Sequence, residues 1–155
     1  MLHEITGLPA HPLIVHMPLV LAPIVGVLTL ALLRPSWRDR LLWPLAGLAV
    51  VTAFFAIIAA VSGEWFAEQL RIGEAIHAHE EAAELFRNVE ILLAVALVAA
   101  AVGLRRLPRA AQTAAVVVIA ALGIGSVAAV VDAGHKGAEQ VWGGALQNGD
   151  DSGGD

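Results

Sequence analysis

The sequence contains no cysteine and no tyrosine, and only 15% of its 155 residues are charged. Without cysteine the chain cannot form disulfides, thiolate metal sites, iron–sulfur ligation or a covalent c-type haem attachment. The net charge is −5 and the acidic clusters lie outside the hydrophobic segments, so no basic face is available for nucleic acid. Nucleophile motifs, phosphate loops and dinucleotide fingerprints are also missing, and the sequence gives no sign of an independent enzyme.

Apolar residues, mostly Ala, Val, Leu and Ile, make up 58% of the chain, and the mean hydropathy is +0.76. This composition lies outside the range of soluble domains. Three charge-free runs cover residues 13–33, 41–61 and 114–131. As helices, runs of this length can cross the roughly 30 Å of hydrocarbon in a bilayer. The sequence therefore predicts an all-α membrane protein with the lipid bilayer around it.

A fourth span has to combine a short apolar run with polar residues. The run 91–104 would cover only about 21 Å as a helix, so the span must also include residues 85–90. We expect Arg87, Asn88 and Glu90 to lie in its outer turns, where long side chains reach the membrane surface. No charge then lies midway through any span, which argues against an ion-coupled transporter. Ser126 has no neighbour that suggests an activated hydroxyl.

Charge in the short connections sets the predicted orientation. The loops 34–40 and 105–109 hold six of the nine basic residues, and the positive-inside rule places them in the cytoplasm. Both termini and all six histidines would then lie outside. Residues 64–84 read as an amphipathic helix or a helical hairpin at the outer surface. The predicted fold is a four-helix transmembrane bundle with an amphipathic outer helix between the second and third spans.

The chain is predicted to form one membrane domain over residues 1–142, followed by a flexible acidic tail over 143–155. Small residues at four-residue spacing predict where helices approach closely. They are Ala49 and Ala53 in the second span, and Ala121, Gly125 and Ala129 in the fourth.

The entrance to the first span combines histidine with proline. Pro12 suits a first helical turn, whereas Pro18 and Pro23 each leave a backbone carbonyl without its donor, which predicts a bent helix end. His16 projects about one turn into the membrane, where an ionisable residue indicates function. The alternative is a neutral imidazole that donates a structural hydrogen bond to one of the freed carbonyls.

This opening, His-Pro-Leu-Xaa-Val-His-Xaa-Pro at residues 11–18, resembles the signature of the bacterial membrane proteins called the domain of unknown function 2231 family. Met17 stands where that family usually has Phe. The resemblance extends to the spacing of the four spans and to the segment Asp132-Ala-Gly-His-Lys-Gly137. It implies a small protein of the bacterial inner membrane, from a group sometimes found beside iron–sulfur or cytochrome components.

Two further clusters could carry chemistry on the outer side. On a helix, His77, Glu81, Glu84 and Asn88 fall within one narrow stripe, which either faces the other helices as a ligand set or is a solvated face. Beyond the fourth span stand Asp132, His135, Lys136 and Glu139. Because no histidine lies in the inner half, at most one haem is permitted, near the outer surface.

Our leading hypothesis is a redox or metal-handling subunit that binds one haem b or one transition-metal ion. The alternative is a structural or assembly membrane protein without a cofactor. Other membrane or redox proteins and further copies of this chain are candidate partners. The candidate cofactor-binding residues are His16, His77, His79 and His135. The candidate metal ligands are His11, His16, His77, Glu81, Asp132 and His135.

Overall fold

The computed structural model describes the backbone of residues 4–5, 8–9, 11–70 and 73–150. It describes the side chains of residue 11 and of residues 14–65 and 77–139. A small antiparallel pair, β1 (Glu4–Ile5) with β2 (Leu8–Pro9), precedes the helices. All longer elements in the described part of the chain are helical.

The first span is interrupted near its start. A single turn, α1 (His11–Ile14), is followed by α2 (His16–Thr29), which continues as a 3-10 helix over Leu30–Leu33. Because Pro18 has no N–H, the carbonyl of Ile14 loses the donor that a continuous helix would supply. Val15 keeps helical dihedral angles, φ −63° and ψ −24°, so the hydrogen-bond ladder is interrupted here while the backbone stays helical, and the bend stays a prediction.

Three long helices form the rest of the bundle: α3 (Pro35–Leu70), α4 (Gly73–Gly103) and α5 (Arg109–Asp150). A 3-10 turn, Leu104–Arg106, connects α4 to α5. Four segments are long and apolar enough to cross a membrane, and they are His16–Leu33, Pro35–Trp65, His77–Arg106 and Arg109–Glu139. The prediction of a four-helix transmembrane bundle is confirmed, and the chain is a multi-pass membrane protein.

The predicted outer helix takes the form of the helical-hairpin alternative. The segment 64–84 consists of the last turns of α3 and the first turns of α4, while residues 71–72 lie outside the described part. Helix α5 continues to Asp150, into the segment that we expected to be flexible, and residues 151–155 lie outside the described part. The boundary at residue 142 stays a prediction.

Two apolar clusters fill the interior between the helices. The larger lies toward the short connections and includes Leu32, Leu93, Leu97 and Val116, each fully buried. The smaller consists of Ala22, Ala56, Phe86, Ala129 and Val130. Large apolar side chains also cover the outside of the spans, as a surface in contact with lipid requires; among them are Val20, Val27, Phe54, Val95 and Val117.

Helices α2 and α5 approach closely at a pair of glycines, Gly26 and Gly123. A Cβ added to Gly26 would lie 2.5 Å from the carbonyl oxygen of Gly123, so neither position can hold a larger residue without a backbone shift. Of the small residues predicted to lie where helices approach, Ala49, Ala53 and Ala129 are buried, whereas Ala121 is exposed. The prediction of a close approach was wrong for Gly125, where an added Cβ would meet nothing within 4 Å.

The two ends of the bundle differ in charge. The basic end contains the connections between α2 and α3 and between α4 and α5, where Arg105 forms an ion pair of 2.7 Å with Asp39 and Arg38 donates to the carbonyl of Leu32. The opposite end, called the histidine end here, contains His11, His16, His77, His79 and His135.

Candidate functional site

His11 ties the start of the first span to α3. Its Nδ1 lies 2.9 Å from Oγ of Ser62, and the hydroxyl of Ser62 donates to the carbonyl of Ala59 at 3.1 Å. Since that hydroxyl has a single proton, its oxygen accepts from the imidazole, so Nδ1 of His11 is the protonated nitrogen. The ring is half-buried and is presented with Nε2 as the basic nitrogen.

His79 makes the corresponding contact between α4 and α5. Its Nδ1 lies 3.0 Å from the carbonyl oxygen of Ala133. A carbonyl can only accept, so Nδ1 of His79 is the donor in this hydrogen bond. A backbone carbonyl on Nδ1 is also the usual way in which a metal-binding histidine is oriented.

A glycine lies against each of these two rings. A Cβ added to Gly63 of α3 would approach Cε1 of His11 to 3.0 Å, and one added to Gly137 of α5 would approach Cε1 of His79 to 3.1 Å. Both distances are shorter than ordinary carbon contacts. The missing side chains at Gly63 and Gly137 therefore give the imidazoles room between the helices.

The two imidazoles also interact electrostatically. Burial lowers the pKa of His11 from its ordinary value of 6.5, the positive charge of His79 lowers it further, and the carbonyl of Ala59 acts in the opposite direction. His11 is therefore neutral at physiological pH, which is the form that binds a metal. This electrostatic interaction couples two residues that lie 68 positions apart in the chain.

The other predicted ligands lie on exposed faces. Nδ1 of His77 is 3.7 Å from Glu81 on the same helix, and Nε2 of His135 is 3.2 Å from Glu139. Their side chains are about 65–71% exposed. The charged partner of Asp132 is Lys136 at 2.8 Å. These pairs follow single helices and do not converge on one point.

The stripe of His77, Glu81 and Glu84 is a solvated face, as one of our alternatives held. The side chains of Glu81 and Glu84 are 70% and 58% exposed. The prediction that the stripe turns toward the other helices was wrong, because His79, two residues after His77, occupies the face of α4 that meets α5. The side chain of His16 is also exposed, and it is not without an interaction partner.

Within the described side chains, no three histidine or acidic residues gather closely enough to hold a metal ion by themselves. His11 and His79 are two imidazoles of the kind that would hold a haem iron or a transition-metal ion. The ligand assignment made from the sequence stays a prediction.

One polar contact inside the spans was missed. Glu90 is completely buried, and Ser126 of α5 donates a hydrogen bond to its Oε1. Our expectation that Glu90 reaches the membrane surface was wrong, and so was the inference that no charged residue type lies deep in a span. Glu90 follows His79 by 11 residues and Phe86 by four and so shares their helix face, but only the position of α5 shows that this face is buried.

Searches of curated proteins and of solved structures gave no match. The family model of DUF2231, described as a predicted membrane protein, matches residues 7–150, which is nearly the whole chain. The match includes the His-Pro segment, all four spans and the histidine end. The chain therefore belongs to the DUF2231 family of predicted membrane proteins.

Proposed function

We propose that this protein is a redox or metal-handling subunit of the bacterial inner membrane, which binds one haem b or one transition-metal ion at the histidine end. The observation that carries the proposal is the pair of half-buried imidazoles, His11 and His79, which interact although they belong to distant parts of the chain. Both termini face the outside in this proposal, so the site lies near the outer membrane surface.

The hydrogen bonds of the pair support a ligand role. Each ring uses Nδ1 for a neighbouring helix, His11 toward Ser62 and His79 toward Ala133. In metal sites this arrangement fixes the tautomer and directs Nε2 toward the ion. Because His11 is held neutral, it does not have to lose a proton before it binds.

The pair of His11 and His79 changes which residues we rank as the strongest candidate ligands. His11 and His79 come first, and His16 at the start of α2 is the nearest addition along the chain. A bound haem would supply one-electron transfer, and the protein would supply the axial imidazoles. A transition-metal ion would need further ligands, for which His77, Glu81, Asp132 and His135 remain candidates.

The test is an optical spectrum and an elemental analysis of the protein purified from its membrane. A b-type haem gives a Soret band, and a bound ion gives a stoichiometric metal content. We expect His79→Gln to remove the cofactor and His77→Gln, two residues away on the exposed face, to retain it. Equal retention in both variants would contradict the proposal, and loss only in His16→Ala would restore the ligand set predicted from the sequence.

The orientation can be tested independently because the chain has no native cysteine. Single cysteines at Ser36, in the basic connection, and at Glu81, at the histidine end, are both exposed positions. In intact cells an impermeant thiol reagent should label Glu81→Cys and not Ser36→Cys. The reverse pattern would place the histidine end in the cytoplasm.

A cofactor-free structural or assembly protein is the second candidate. It is favoured by the fact that the imidazole contacts join helices, α1 to α3 and α4 to α5, as structural ties would. In that case the purified protein shows neither a Soret band nor stoichiometric metal, while His79→Gln still lowers the melting temperature in detergent.

A further inference from the structure

The buried polar side chains of the bundle fall into two groups. The hydroxyls of Thr29, Thr52 and Ser62 each donate to a carbonyl three or four residues earlier in their own helix. Such local bonds satisfy a hydroxyl within its own helix, and Ser62 in addition contacts His11 at the histidine end. Glu90 and Ser126 differ, because their hydrogen bond crosses from α4 to α5 and both residues are completely buried.

One oxygen of Glu90 has no partner. Oε1 accepts from Ser126, whereas Oε2 is buried and meets no hydrogen-bonding group among the described residues. Buried polar atoms in native proteins are nearly always paired with protein or with water. Without a donor to stabilise a negative charge, Oε2 favours the state in which it carries a bound proton.

The surroundings of Glu90 offer no positive charge to an ionised carboxylate. The spans that pack around α4 carry no ionisable side chain over residues 17–33, 41–63 and 114–131. On α4 itself the nearest cation is Arg87, which contacts Glu84 at 3.6 Å and Asn88 at 3.3 Å. An unpaired carboxylate at such depth is expensive, so the neutral acid is the favoured form.

The geometry points to a binding site for a proton: we propose that Glu90 is a carboxylic acid, positioned by Ser126, that takes up and releases its proton through Oε2. In a neutral acid whose Oε1 accepts from Ser126, the acidic proton lies on Oε2. Release gives a carboxylate and transfers the proton to a water molecule; uptake reverses these steps. The protein thus contains a proton-exchanging group within a span.

This inference is independent of a cofactor at the histidine end. Glu90 lies 11 residues from His79 along α4, or about 16 Å. The apolar cluster that includes Phe86, Ala129 and Val130 lies between the two positions. A cofactor-free protein would retain the acid, and a haem protein could lose it without losing its haem.

The test is infrared spectroscopy of the full-length protein in lipid vesicles, which detects a protonated carboxyl by its carbonyl stretch. We expect this band at neutral pH in the wild-type protein. Glu90→Gln, which keeps the shape and hydrogen-bonding capacity of the side chain, should lose the amplitude of one carboxyl. Glu84→Gln on the exposed face is the matched control and should keep it. Melting curves establish that each variant is folded.

Exchange and positioning have separate readouts. Transfer to D2O should shift the band, since a proton-binding site must reach water, and Ser126→Ala should change the frequency of the band while preserving its amplitude. Identical spectra of wild type and Glu90→Gln at neutral pH would mean that Glu90 is ionised and would overturn the proposal. A Glu90 band that never shifts in D2O would mean a locked, structural acid and would overturn it equally.

Discussion

The interface between α4 and α5 holds two polar contacts in very different surroundings. His79 meets the carbonyl of Ala133 at the histidine end, and Glu90 meets Ser126 about two to three helical turns deeper. The imidazole is half-buried, so water can replace a lost partner there. The carboxyl is completely buried and depends on one hydroxyl. The depth of a polar contact therefore determines how much stability its loss costs, even for two contacts on the same face of α4.

The largest effect should follow from removing that hydroxyl. Ser126→Ala leaves Glu90 without its described partner, and an unsatisfied buried group costs about 1–3 kcal/mol. Ser62→Ala is the matched change at the histidine end, where His11 can bond to water instead, and we expect at most about 1 kcal/mol. Unfolding of both variants in detergent measures the difference. Equal losses would mean that depth does not separate the two contacts.

Most of the fold could be predicted from the sequence because it follows from the length and apolarity of the spans. Charge-free runs such as 41–61 have to be helical in a bilayer, since every backbone group must be paired internally. It was harder to predict that residues 64–84 belong to extensions of α3 and α4. The Glu-rich sequence suits both a separate surface helix and an extension of the spans, and only packing distinguishes them.

The candidate site was predicted by region and not by residue. All the histidines were assigned to one end, but the sequence gave prominence to His16 and to the stripe around His77. His79 was identified as a candidate without any sign that it contacts α5. The helical phase of α4 separates His77 from His79 by about 200°, so one faces solvent when the other faces the bundle. Without the neighbouring helix, that phase has no reference point.

A glycine substitution tests whether the histidine contact needs space. In Gly137→Ala the new methyl group lies 3.1 Å from Cε1 of His79, so the ring must move and strain its bond to Ala133. We expect a loss of about 1 kcal/mol, the lower range for overpacking. Gly134→Ala, one turn earlier, places its Cβ at an ordinary 3.8 Å from Leu19 and should gain stability from helix propensity. Thermal unfolding measures the stability of both variants. A gain in stability for both would show that the ring of His79 moves aside at no cost.

The pH dependence of stability sharpens the same comparison at His11. Burial, followed by the charge of His79, lowers the pKa of His11 below 6.5, so the unfolded chain binds this proton more readily than the folded protein does. The contribution of the neutral ring is complete above 6.5 and is lost as the pH falls from there through the lowered pKa. Melting temperatures between about pH 7 and pH 5 should fall in the wild type and fall less in His11→Gln. If the melting temperatures of the wild type and His11→Gln fell in parallel, His11 would not contribute to the pH dependence of stability.

The smallest effect on stability is expected for the exposed pair of His77 and Glu81. Glu81 and His77 form an exposed pair at 3.7 Å, and pairs of this kind contribute roughly 0–1 kcal/mol. Glu81→Gln should therefore leave the melting temperature and the metal or haem content nearly unchanged. Glu84→Gln, on the same face and beside Arg87, is the matched control. If Glu81→Gln alone lost a bound cofactor, the exposed stripe would be a ligand set, completed by a partner or by movement of α4. The functional site would then lie on this face, and the half-buried pair of His11 and His79 would be the structural tie.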